Sequence, residues 1–124
     1  KPDGQVAVAL SYAGGAFSIA VHLKREASSE DADPRRDYDI AIYRSLMPPG
    51  GATVEQATSA KHYLMKPPVS GDDLLYYKST RKKKVIVVFD PHESGMTAYF
   101  CARYENQKGE AGNWGRIVSI TVPS

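Results

Sequence analysis

The chain closes on TAYFCARYENQKGEAGNWGRIVSITVPS, residues 97–124, and the register of this stretch decides the fold. Two segments, TAYFCARYEN and GRIVSITVP, alternate apolar with polar residues, and the glycine-bearing QKGEAGN lies between them, which is the pattern of a β-hairpin. Side chains of a strand alternate between faces, so a slip of one residue exchanges the faces completely. If Tyr99 and Cys101 faced the core, Arg103 and Glu105 would follow them inward, and two buried charges are costly. The other register places Ala98, Phe100, Ala102 and Tyr104 inside and Tyr99, Cys101, Arg103 and Glu105 outside, in line with the burial preferences of those residue types. That second register is expected.

Upstream, strand patterns dominate. QVAVALSY (5–12) is a first strand stopped by Gly14 and Gly15, and AFSIAVHLK (16–24) alternates with Phe17, Ile19, Val21 and Leu23 on one face. REASSEDADPRRD (25–37) has charges, small polar residues and Pro34 without periodicity, so it is expected to be an exposed loop. DYDIAIYRSL (37–46) alternates again, with Tyr38, Ile40 and Ile42 on one side. From residue 47 to 83 the pattern breaks. MPPGG ends the strand, Thr53 and Gln56 form a capping box for a short helix over VEQATSAKHYL (54–64), and Ser70 with Asp73 forms a second box. KKVIVVFD (83–90) is a continuous apolar run, expected to be buried for much of its length.

At 124 residues the chain is expected to form one domain, 1–124, with a single core. Sixteen Lys and Arg against fourteen Asp and Glu leave a net charge of +2, far from the footprint of a dedicated nucleic-acid binder. No apolar run approaches the roughly 18 residues that a membrane span needs. The lone Cys101 excludes an internal disulfide and leans toward a reducing, cytoplasmic compartment. The first residue is Lys, so an export signal removed earlier leaves the compartment open.

The closing hairpin resembles two families. Its Tyr-Phe-Cys-Ala-Arg run is similar to the end of an antibody variable domain, but such a domain bridges that Cys to a second one and packs a strand-C Trp on the bridge. Here there is one Cys, and the only tryptophan, Trp114, follows it. GMTAYFCARYENQKGEAGNWGRIVSITVP resembles the last two strands of a fibronectin type III domain, with Gly-x-Thr-x-Tyr-Phe, then Asn, then Gly-Glu-x-Gly-x-Trp. The tyrosine that commonly makes the corner before this strand falls at Ala98. PPVSGDDL, STRKKK and YFCARYEN, in that order, resemble the carboxy-terminal domain of a group of uncharacterised bacterial proteins, over residues 38–123. The resemblance implies an all-β, two-sheet antiparallel sandwich of about seven strands, fibronectin type III or immunoglobulin-like, with a short helical excursion in the middle. It implies no chemistry.

The residues themselves offer little for catalysis. His22, His62 and His92 are scattered without metal-ligand spacing, Cys101 has no base beside it, and Asp72 and Asp73 sit where a capping turn favours negative charge. No phosphate loop or Gly-x-Ser-x-Gly elbow is present. The cations of TRKKK (80–84) are expected to divide between strand faces and to protect a sheet edge, rather than to meet phosphates. Tyrosine suits recognition surfaces because a rigid ring offers apolar area and a hydroxyl at small entropic cost. Tyr43, Tyr63, Tyr76 and Tyr77, with Arg81 and Lys82, are therefore the candidate binding residues. Trp114 is expected to be structural and to stack on outward-facing Arg103. The expected function is a non-catalytic module that makes protein contacts or assembles a larger bacterial protein, with no enzyme activity, metal or cofactor. The alternative is a carbohydrate-binding accessory module; nucleic acid is the least favoured partner.

Overall fold

The computed structural model describes Pro2, residues 4–25 and residues 38–124. Seven strands are found among them: β1 Val6–Tyr12, β2 Ser18–Arg25, β3 Tyr38–Met47, β4 Leu75–Thr80, β5 Lys84–Val88, β6 Thr97–Asn106 and β7 Val118–Thr121. They pair into two antiparallel sheets, β1-β2-β5 and β4-β3-β6-β7, which makes the chain an all-β, two-sheet sandwich. The loop expected over 25–37 lies outside the described residues, apart from Arg25, which ends β2.

The alternation read from the sequence becomes the core. Ile19, Val21 and Leu23 of β2, Ile40 and Ile42 of β3 and Phe100 of β6 are fully buried between the sheets. On β6 the inward set is Ala98, Phe100, Ala102 and Tyr104, all buried, while Tyr99, Arg103 and Glu105 on the other face are partly exposed. Cys101 departs from expectation. It belongs to the outward set, yet it is fully buried: its thiol donates to the Gly115 carbonyl at 3.2 Å, and the adjacent Trp114 packs on Tyr43, the residue paired with Cys101. Burial pushes this thiol up to about 11. A thiol with so high a pKa presents almost no thiolate near neutrality. Native protein at pH 8 should therefore resist iodoacetamide, and modification should appear only as urea unfolds the chain; rapid labelling without urea would contradict the burial.

Three further expectations are corrected by tertiary packing. The apolar run of β5 is buried on one face only: Val85 and Val87 are buried, whereas Ile86 and Val88 are 46% and 65% exposed. β5 is an edge strand, and its outer face carries no covering layer among the described residues. β4 forms inside the expected helical excursion, because residues 75–80 can extend the sheet beyond β3, with a register shift between Ile42 and Tyr43. The helix itself, α1, spans only Val54–Ala57. Thr53 and Gln56 cap it reciprocally as read, at 3.1 and 2.9 Å. None of its residues is buried, so no apolar face rewards a longer helix, and the hydroxyls of Thr58 and Ser59 take its last carbonyls.

The second box, Ser70 with Asp73, caps a single 3-10 turn at Gly71–Asp73. The Val69 and Ser70 amides donate to Asp73 at 2.8 and 3.2 Å and hold its carboxyl below the usual range. The excursion is tied back to the sandwich by the Leu64 amide on the Leu46 carbonyl and by the Ala52 amide on the Leu64 carbonyl. This brings Tyr63 and Leu74 into buried positions.

Candidate functional site

Two constellations meet at Tyr76, one on the outer face of the four-stranded sheet and one at the end of the sandwich. On the outer face, β3 and β6 place Tyr43 opposite Cys101, and the segment before β7 lays Trp114 over them. The Arg103 Cζ lies 4.1 Å from the indole centroid and 5.2 Å from the Tyr43 ring, within stacking reach. The Arg103 Nε donates to Glu105 at 3.0 Å, and the Tyr43 hydroxyl donates to the same carboxylate at 2.8 Å. Burial alone would lower the Arg103 pKa, but the bonds to Glu105 and Tyr43 outweigh it and raise it. The Trp114 Nε1 donates to Asp72 at 3.3 Å. The indole packs so closely on Gly71 that a Cβ there would come within 2.5 Å of the ring's Cε2 and Cε3. Only glycine leaves room, so the turn at residues 70–73 is the seat of the tryptophan.

This cluster makes the aromatic rings a wall and not a flat platform. Tyr43 meets Tyr76 at 72° and Trp114 at 88°, and of the three only Tyr76, at 56%, is largely exposed. Arg103→Ala should lower stability by about 1–2 kcal/mol, through the lost cation–π contact and the lost bond to Glu105, which keeps only the Tyr43 hydroxyl, and should shift Trp114 emission to the red. An unchanged urea midpoint would mean that the stack contributes nothing.

At the end of the sandwich, a pocket of about 210 Å³ opens between β3, β4 and the excursion. Its walls carry Arg44, Lys61, Tyr63, Tyr76, Tyr77 and Glu93. Tyr63, put forward as a surface binder, is only 8% exposed and packs in the core. Its hydroxyl donates to the buried Glu93 at 2.8 Å and lies 3.3 Å from the His92 Nε2. Burial, and then that bond, push the Tyr63 hydroxyl up to about 12. The other Glu93 oxygen accepts the Asp90 amide at 3.0 Å, and the Lys61 ammonium sits 3.0 Å from Asp90 and 3.7 Å from Glu93. Tyr77 is half-buried, with Arg44 over its ring at 4.4 Å.

Arg44 and Glu93 escaped the sequence reading although both left a signal. Arg44 continues the inward parity of Ile40 and Ile42, which sets a charge on the core face opposite Phe100. Glu93 ends an Asp-Pro-x-Glu run, the spacing by which an acidic residue folds back on the first amide of a turn. Asp90, His92 and Glu93 also bring metal-ligand atoms within 4.8 Å of one another. Their ligand atoms already meet Lys61, Tyr63 and the Asp90 amide, and the Lys61 ammonium lies within 4 Å of both carboxylates, with Arg44 attracted to both from farther off.

The remaining candidates lie apart. Residues 81–83 form the bend between β4 and β5 and are not split along a strand as expected; only Lys84 enters β5. Arg81 is tied to the Tyr38 carbonyl at 2.8 Å and to Asp39 at 3.0 Å, while Lys82 is exposed. His22 pairs with the Ser11 hydroxyl on the three-stranded sheet, and His62 is exposed on the excursion. Neither joins Cys101. No helix among the described residues is long and apolar enough to cross a membrane. No protein-family model and no curated protein matches the chain.

Proposed function

We propose that the chain is a non-catalytic sandwich module of the fibronectin type III kind that makes protein contacts within a larger bacterial protein, using the β4 edge. One observation carries this reading: β4 pairs only with β3 among the described residues, and its side chains are exposed or half-exposed on both faces, including Leu75 at 45% and Tyr76 at 56%. An open strand edge offers a row of backbone donors and acceptors, and adding a strand is a general mode of peptide capture. The strand order β1-β2-β5 over β4-β3-β6-β7 and the inward register of β6 support the family likeness. The carbohydrate reading is weaker, because the rings meet edge to face and the Trp114 indole is covered by Arg103. Nucleic acid is weaker still, since Arg81 is tied down and the run at 80–84 has no aromatic platform beside it.

The test is a pair of titrations on ¹⁵N-labelled protein. Blocked peptides of alternating Thr and Val should shift the amides of Leu75–Thr80, and cello- or chito-oligosaccharides should leave Trp114 emission unchanged. Oligosaccharide binding that moves Trp114, with β4 silent towards peptides, would reverse the order of the two readings.

A further inference from the structure

Arg44 makes no close ion pair, and the Glu93 and Asp90 carboxylates act on its charge only at longer range. Arg44 sits on the core-facing side of β3, opposite Phe100, with its guanidinium 4.4 Å from the Tyr77 centroid and 4.9 Å from that of Phe89. Among the described residues it forms neither an ion pair nor a side-chain hydrogen bond. Since no fully buried side-chain nitrogen lacks a partner, its N–H groups reach the pocket. Two rings stacked on a guanidinium hold it in place and strip its water, but they leave its in-plane donors unused. A half-buried cation with idle donors is a standing cost that a bound anion relieves.

We infer that the pocket beside β4 seats the carboxylate of an aspartate or glutamate side chain, carried by an extended peptide that pairs with the β4 edge, and that Arg44 receives it. This deepens the proposed edge-binding function and rests on it.

The chemistry of the walls selects this ligand. The planar guanidinium fork matches a carboxylate through two parallel N–H···O bonds. A phosphate dianion fits less well, because Glu93 lines the same pocket and would repel the second charge. Glu93 makes no hydrogen bond to Arg44 and acts on it only as a charge at longer range, its oxygens being directed to the Tyr63 hydroxyl and the Asp90 amide. The cavity, at about 210 Å³, has room for a carboxylate and its methylene stem, given that a water occupies about 30 Å³. The route in is the edge itself. Leu75, Tyr76 and Tyr77 belong to β4 and also line the pocket, so a strand laid along β4 projects alternate side chains towards it. Exposed Lys78, with its ammonium 5.9 Å from the Tyr77 centroid, adds a second positive charge along the path of such a peptide.

Three heptapeptides decide the matter when titrated into ¹⁵N-labelled protein: blocked Thr-Val-Thr-Glu-Thr-Val-Thr, the same peptide with Gln for Glu, and the Gln peptide with a free carboxyl terminus. The blocked Glu peptide should bind about tenfold more tightly than its Gln counterpart, shifting the Arg44 Nε–H together with the Leu75–Thr80 amides. Arg44→Gln should abolish the difference between the two while the spectrum stays folded. Equal affinity of the two blocked peptides, with β4 amides still shifting, overturns the carboxylate site and leaves the edge reading standing. Silence of β4 towards all three overturns both. Preference for the free-ended Gln peptide over the blocked Glu peptide assigns the pocket to a chain terminus and overturns the side-chain claim. Because the peptide comparison is made on the unaltered protein, misfolding of Arg44→Gln would not obscure the result.

Discussion

Gly115→Ala should destabilise the fold by about 3 kcal/mol, at the upper end of what forced overpacking costs. Gly115 does not hold a left-handed φ, so the glycine is required for space and not for backbone freedom. A Cβ there would overlap the carbonyl oxygen of Val6 in β1, while that of Ala102 in β6 would sit at ordinary contact distance on the other side. Both are backbone atoms of paired strands and cannot swing aside as a side-chain tip can. The position is also bonded on both sides, its amide to the Ala102 carbonyl and its carbonyl to the Cys101 thiol. The check is urea denaturation: the midpoint should fall with an unchanged slope. A variant within 0.5 kcal/mol of the parent, taking about that figure as the scatter of ordinary surface changes, would mean that β1 does not close on residue 115.

Glu93→Ala should cost about 2–3 kcal/mol, since hydrogen bonds to a charged group are worth about 1.5–3 kcal/mol and one of the orphaned partners is the buried Tyr63 hydroxyl. Lys61 loses one of its two carboxylate neighbours as well. Burial of Tyr63, and then the same bond, give the fold an alkaline limit. The Tyr63 hydroxyl rises from 10.0 to about 12, so the folded state holds the proton more tightly than the unfolded chain does. The associated stability is whole below about pH 10 and is lost as pH climbs towards 12. Cys101, raised from 9.0 to about 11, acts in the same sense one step earlier. Urea midpoints measured between pH 8 and 11.5 should therefore decline, and Tyr63→Phe should make the decline above pH 10 shallower, leaving the parts that belong to Cys101 and Tyr43. If the phenylalanine variant declines just as steeply there, Tyr63 is not the group responsible.

The register of β6 was readable because burying Arg103 and Glu105 would have been expensive, and period-two alternation allows only one other choice. The cap at Thr53 and the turn at Ser70 were readable for a different reason: their hydrogen bonds close within a few residues. The stacking of Arg103 on Trp114 followed from the register and the shortness of the hairpin together.

What the sequence left open depended on neighbours distant in the chain. β4 carries no clean alternation, and its strand form comes from pairing with β3 across the excursion. The apolar run of β5 reads as a buried strand until its position at a sheet edge leaves Ile86 and Val88 uncovered. Tyr63 has the composition of a surface tyrosine, and only the docking of residues 63–65 beside Leu46 turns it inward onto Glu93. Arg44 shows both sides most clearly. Strand parity alone determines that it points into the sandwich, as Ile40 and Ile42 do. Whether it meets a carboxylate there or an open pocket depends on side chains spread from Ala60 to Glu93, which only the folded chain brings together.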